Sequence, residues 1–210
     1  MLARCLVLLI VATLVCCPTE YGTGFVEEVH AIPDDEIKFE ACEEIVCDPL
    51  RVSRYTNVIK DIQNYYRKWN RPGMPMSMEA KMSVISNIIR NVFKEYDFIG
   101  FYYLNTERST TELEIAPYST IIKTPMPLFK KGEGIVGKAW EQEDAIVVRN
   151  IEKEKDYTTY DGRARSEVAV PIFDLKGKMF AVLKAYSELP KVFEQTDIIC
   201  MEEVVNYLDY

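Results

Sequence analysis

The stretch Glu167-Val-Ala-Val-Pro-Ile-Phe173, the turn Asp174-Leu-Lys-Gly177 and the run Lys178-Met-Phe-Ala-Val-Leu-Lys184 together decide the class of fold. Two runs rich in Val, Ile and Phe flank a turn carrying Asp and Gly. They read as paired strands of a hairpin, and a hairpin makes the pair antiparallel. Upstream, Phe98-Ile-Gly-Phe-Tyr-Tyr-Leu104 is a strand by aromatic content, and Glu112-Leu-Glu-Ile-Ala116 returns from it across a polar turn. Pro117, Pro125 and Pro127 bound an irregular stretch in which residues 120–123 are expected to form a short third strand. Ala145-Ile-Val-Val148 is one more strand.

Helical periods flank this strand-rich middle. Val52, Tyr55, Val58, Ile59, Ile62, Tyr65, Tyr66 and Trp69 recur at helical spacing and predict an amphipathic helix. Asn70-Arg-Pro-Gly-Met-Pro breaks it, since Pro lacks a donor and Gly frees the backbone. Ser77 is the expected cap of a second helix that buries Met78, Met82, Ile85, Ile88, Ile89, Val92 and Phe93. Lys131-Gly-Glu-Gly-Ile-Val-Gly-Lys-Ala-Trp140 reads as a glycine turn entering a short helix. Residues 149–166 form a long polar loop, of the kind that often carries function. A closing helix over 195–208 buries Ile198, Ile199, Val204, Val205 and Leu208, with Thr196 or a neighbour as its cap. Strands ending in a hairpin, with helices packed at one side, make a single antiparallel α+β domain.

Composition narrows the function. Hydrophobic residues make up 48% and charged residues 28%, which are globular values. The 25 basic residues face 33 acidic ones, and a net charge of −8 argues against nucleic-acid binding. A single histidine, His30, removes most histidine-based catalysis and metal binding. HExxH, a P-loop lysine motif and CxxC are all absent, and no metal or cofactor is expected. Gly132-x-Gly-x-x-Gly137 lacks the strand–helix unit and downstream acid of a dinucleotide site.

The N-terminus reads as a secretory signal over residues 1–24: Arg4, then an apolar run from Cys5 to Cys17 too short for a stable membrane span. The expected location is the secretory pathway or outside the cell; a misassigned start would make the chain cytoplasmic. Residues 25–51 form an acidic arm with Lys38 as the only base before Arg51. Cleavage leaves three cysteines. Cys42 and Cys47 are close enough in sequence to pair, and Cys200 packs as a small hydrophobe in the last helix.

Four stretches in order resemble the GAF domain, a sensory α+β module: Phe98-Ile-Gly-Phe-Tyr-Tyr, Gly132-Glu-Gly-Ile-Val-Gly-Lys-Ala, Arg165-Ser-Glu-Val-Ala-Val-Pro-Ile and Phe193-Glu-Gln-Thr-Asp. The resemblance spans 52–208 and implies a GAF-like antiparallel sheet flanked by helices. Within the family the chain looks most like the free methionine-R-sulfoxide reductases. Their chemistry needs an attacking thiolate, an acid and a resolving thiol. At the matching positions this chain has Val136 in the glycine turn, no cysteine in 121–125 or 157–165, and Lys184-Ala-Tyr186 in place of an acidic pair. Glu167 matches a pocket acid, and Phe98 and Tyr102 match pocket aromatics.

The resemblance therefore implies a pocket without the reductase's cysteines, so that no catalytic residue is expected. Its lining is expected from Phe98, Tyr102, Trp140, Tyr157, Tyr160, Asp161, Arg165, Ser166, Glu167, Lys184 and Tyr186. Lys184 and Arg165 beside Glu167 would suit a small zwitterion or anion. Alternatively, Glu167 only pairs with Arg165 or Lys184 and the aromatics are filler. Three readings follow: a non-catalytic domain binding a small polar ligand or a protein partner, a divergent reductase, and a structural dimerisation module. GAF domains often pair through helices, which implies a homodimer.

Overall fold

The computed structural model describes residues 47–106, 108–121, 125–154, 159 and 162–208. The signal segment, most of the acidic arm, the Cys42–Cys47 pairing and Tyr157, Tyr160 and Asp161 lie outside the described residues. The elements run α1 (Pro49–Trp69), α2 (Met78–Val92), β1 (Phe98–Leu104), β2 (Glu112–Thr120), β3 (Leu128–Lys130), α3 (Gly134–Gln142), β4 (Ile146–Val148), β5 (Ser166–Phe173), β6 (Met179–Ser187) and α4 (Gln195–Val205). The six strands form one antiparallel sheet in the order β3-β2-β1-β6-β5-β4. This is the antiparallel α+β domain that the hairpin implies. No helix among the described residues is long and apolar enough to cross a membrane.

Helix α1 begins three residues before its apolar pattern does. The Asp48 side chain accepts from the Leu50 amide at 2.9 Å, and Pro49 fits the first turn because its missing N–H would go unused there. Residues 49–51, read from the sequence as the end of the acidic arm, form the first turn of α1. Asn70 closes α1, and Ser77 caps α2 by accepting from the Ala80 amide at 3.2 Å. The closing helix is capped by Glu194; the Thr196 hydroxyl accepts from the Asp48 amide at 3.1 Å instead.

Two expectations about the sheet need correction. Strand β2 runs through Pro117 to Thr120, so Thr120 belongs to it and not to a third strand, and the next strand among the described residues is Leu128–Lys130. Pro117 is tolerated because the β1–β2 register shifts beside it, between Gly100↔Tyr118 and Tyr102↔Ile115. The outer edge of β2 pairs with β3 only over Glu112–Glu114, so no ladder donor is missed.

The helices do not all lie on one side. Helices α1, α2 and α4 bury Val58, Ile62, Ile85, Ile89, Met201 and Val204 against Ile99, Phe101, Val168, Val170, Leu183 and Ala185 of the sheet. Helix α3 covers the opposite face. The pleat supports both layers, since alternate residues of each strand face opposite sides.

Between α1 and the α2–β1 turn, Arg54 holds the Glu95 carboxylate through bonds of 2.6 and 3.0 Å. Burial alone would raise the Glu95 pKa, but the Arg54 hydrogen bonds, the residue's own backbone amide and the nearby Arg54 and Arg51 charges together outweigh it and hold that group below its ordinary value of 4.5. Its contribution to stability is present above that ordinary value and is lost as pH falls through the depressed one. Glu95→Gln is expected to cost about 0.5–1 kcal/mol at neutral pH. It should also flatten the acid limb of the stability profile below about pH 5, read by denaturant unfolding at a series of pH values.

Candidate functional site

The face under α3 carries the chemistry. In β1 the pleat sends Phe98 and Tyr102 to this side and Ile99 and Phe101 to the helix side. In β6 it sends Val182, Lys184 and Tyr186 here, and in β5 Glu167 and Ala169. Phe129 of β3 and Ile135, Val136, Ala139 and Trp140 of α3 complete the layer. The glycines that open α3 make its close approach feasible: Gly132 and Gly134 have φ of 84° and 55°, which only glycine adopts freely.

Glu167 and Lys184 are buried at the centre, with side chains 1% and 2% exposed. They sit on adjacent strands as diagonal neighbours, Glu167 opposite Tyr186 and Lys184 opposite Ala169. The Lys184 Nζ is 3.5 Å from Glu167 Oε1, a looser contact than the ~2.7–2.9 Å of a strong charge-assisted hydrogen bond. The Thr159 hydroxyl donates to the same Oε1 at 2.9 Å. Rings surround the pair. Phe98 stacks on Tyr186 at 5.6 Å between centroids and 6° between planes, and on Tyr118 at 5.9 Å. Tyr102 meets Phe129 edge-on at 5.0 Å and donates to the Met126 carbonyl at 3.0 Å.

Gly100 makes this packing possible. It faces Tyr118 on one side and Lys184 on the other. A Cβ there would stand 2.3 Å from the Tyr118 Cβ and 3.0 Å from the Phe98 ring. The aromatic stack thus needs the smallest residue at position 100.

Of the residues expected to line a pocket, the structure brings together Phe98, Tyr102, Trp140, Glu167, Lys184 and Tyr186 on this face. Two others are placed elsewhere. Arg165 forms an ion pair with Glu152 at 3.0 Å, with 42% of its side chain exposed. Ser166 precedes the inward residue on the pleat, turns to the helix side and donates to the Leu189 carbonyl at 2.7 Å. Phe129 and Thr159 are residues of this cluster that sequence reasoning missed. Phe129 alternates with the more exposed Leu128 and Lys130, a short period-2 signal that flanking prolines obscured. Thr159 left no signal, because its role depends on where a loop folds.

Two cysteines are described. Cys200 packs against the core beneath α1, α2 and α4, on the other side of the sheet from Glu167 and Lys184. Cys47 immediately precedes the cap of α1. Val136, in the glycine turn, is fully buried in the aromatic layer.

The family model described as the GAF domain matches residues 75–208. GAF domain-containing protein A of Dictyostelium discoideum is 24% identical over 158 residues, covering 74% of this chain and 90% of that one. The free methionine-R-sulfoxide reductase of Saccharomyces cerevisiae is 26% identical over 108 residues, which span 50% of this chain and 58% of the enzyme. Among solved structures, that of the Neisseria meningitidis free methionine-R-sulfoxide reductase with its substrate superimposes with a TM-score of 0.65 at 23% identity, covering 78% of this chain and 90% of that one. The sheet order, the helix layers, the glycine turn and the match over 75–208 lead to one assignment: this chain belongs to the GAF domain family.

Proposed function

We propose that this GAF domain is a non-catalytic receptor that binds a small polar ligand on the face between the sheet and α3. The observation that carries this reading is the buried Glu167–Lys184 pair set among Phe98, Tyr102, Phe129 and Tyr186. A buried ion pair gains little over well-packed hydrophobic residues, so its presence in an aromatic layer calls for a role beyond stability. Apolar walls with a few convergent polar groups are what small-ligand sites use. The reductases named above support a ligand about the size of an amino acid.

The reductase reading requires a thiolate at this face. Val136 occupies the glycine-turn position, and Cys200 packs on the opposite side of the sheet. We therefore expect free methionine-R-sulfoxide to go unreduced when the purified chain is supplied with a thiol reductant. Turnover that disappears on joint replacement of Cys42, Cys47 and Cys200 would favour the reductase instead. Binding is tested by thermal shift across small carboxylates and free amino acids, including methionine and its sulfoxide. At ligand concentrations ~100 times the dissociation constant, mass action raises the melting temperature by about 5 °C or more. Glu167→Gln should lose most of that rise. A wild-type chain whose melting temperature responds to none of these compounds would count against the receptor reading.

A further inference from the structure

The contacts of Lys184 resemble those of a bound organic cation. Its Nζ lies 5.2 Å from the Phe129 ring centroid and 5.7 Å from that of Tyr186, both within the ~6 Å reach of a cation–π contact. Glu167 supplies the carboxylate at 3.5 Å. Two ring faces and one anion make a cage for an ammonium group, and the chain fills it from its own backbone. The neighbours across both ladders are small. Lys184 pairs with Gly100 on β1 and Ala169 on β5.

We propose that Lys184 is a tethered cation that plugs this cage and thereby sets the charge class of the ligand: a small carboxylate is accepted, and an amine in the same position is refused. The proposal rests on the receptor reading for its ligand, but not for the cage itself. The physical argument is competition. A tethered group competes at an effective concentration in the millimolar range or above, so a free amine must displace Lys184 from both rings and from Glu167. An ammonium is a donor only. A ligand that contacts Lys184 must therefore offer an acceptor, and a carboxylate is the acceptor that also balances charge.

Lys184→Ala tests this directly, because the deleted atoms from Cγ to Nζ are those of n-propylammonium. The full chain carrying Lys184→Ala is expected to gain about 5 °C in melting temperature at n-propylammonium concentrations ~100 times the dissociation constant. Wild type, Lys184→Met and Lys184→Ala with Glu167→Gln should show no such gain, and propionate should not replace the amine. A folded Lys184→Ala chain indifferent to n-propylammonium overturns the proposal, as does a wild-type chain that gains as much. If Lys184→Ala does not fold, NMR of the wild-type chain decides. Ring currents from Phe129 and Tyr186 should move the Lys184 ε-methylene protons upfield of an exposed lysine, and ordinary shifts would overturn the cage. Failure of the carboxylate screen on wild type would remove the receptor reading while leaving the amine response of Lys184→Ala intact, so the two failures are distinguishable.

Discussion

Asp197→Ala is expected to destabilise the domain by about 3–5 kcal/mol, the range for removing one partner of a buried ion pair. For a domain of this size that lowers the melting temperature by roughly 6–20 °C. Asp197 is fully buried at the start of α4 and joins three segments. Its Oδ1 accepts from the Tyr96 hydroxyl at 2.7 Å and the Tyr55 hydroxyl at 3.1 Å. Its Oδ2 accepts from the Glu194 amide at 2.8 Å and pairs with Arg51, which also donates to the Val192 carbonyl at 2.6 Å. Burial works against the charge of Arg51, yet the Asp197 carboxylate more than offsets it and holds the guanidinium pKa above its ordinary value. Burial first, and the nearby Asp197 charge with it, push both phenols well above 10, so they remain donors at neutral pH. Alanine leaves the partly buried Arg51 without its anion, and, since the Tyr55 and Tyr96 hydroxyls lie 3.0 Å apart and one can donate to the other, it leaves one of the two without an acceptor. Asp197→Asn keeps the volume but not the charge, and should lose most of the same stability. Denaturant unfolding measures both, and a loss below about 1 kcal/mol for Asp197→Ala would show that the cluster is not the fastening described.

That cluster shows why only part of the molecule was legible in the chain. Phe193 and Asp197 stood out as a stretch resembling the GAF family, but their physical reason lies in distant partners. Tyr96 touches the Phe193 ring at 4.8 Å and donates to Asp197, and Arg51 and Tyr55 arrive from α1. Local signals worked where local forces rule. Strand β1 matches its aromatic run residue for residue, and α2 begins at its serine cap because both are fixed by neighbours within a few positions. Pro117 misled because a proline forbids a strand only where its missing N–H is needed, and that depends on which edge of β2 is paired. The site divides in the same way. Alternation within β5 and β6 suffices to put Glu167, Lys184 and Tyr186 on one face. Arg165 lies one residue before β5 begins, and its side chain pairs with Glu152, a partner that alternation within the strand does not reveal.

The second large effect is expected on the other face, from Gly137→Ala. A Cβ at Gly137 would stand 2.0 Å from the Lys130 carbonyl oxygen and 3.0 Å from the Gly132 nitrogen, both backbone atoms. The backbone there cannot give way easily. Gly132 N–H donates to the Gly137 carbonyl at 2.8 Å, Gly137 N–H to the Glu133 carbonyl at 2.8 Å, and Glu133 N–H to the Lys130 carbonyl at 3.0 Å. The glycine turn is thus closed on the first turn of α3, a packing device in place of the phosphate cradle its spacing evokes. Overpacking against backbone belongs at the upper end of the usual range, about 3 kcal/mol or more. Because α3 carries Ile135, Val136, Ala139 and Trp140 onto the aromatic layer, displacing it should also abolish any ligand-induced thermal shift. Gly162→Ala is the control, since nothing lies within 4 Å of its Cβ, and it should stay within about 0.5 kcal/mol of wild type. Hydrogen exchange separates this defect from that of Asp197→Ala. Gly137→Ala should expose amides of α3 and β3 while Ile62, Ile85 and Val204 beneath the other helices stay protected, because the two hydrophobic layers meet only through the sheet. Loss of protection in both layers at once would mean that α3 is needed to hold the sheet itself, and that the candidate site cannot be altered there without unfolding the domain.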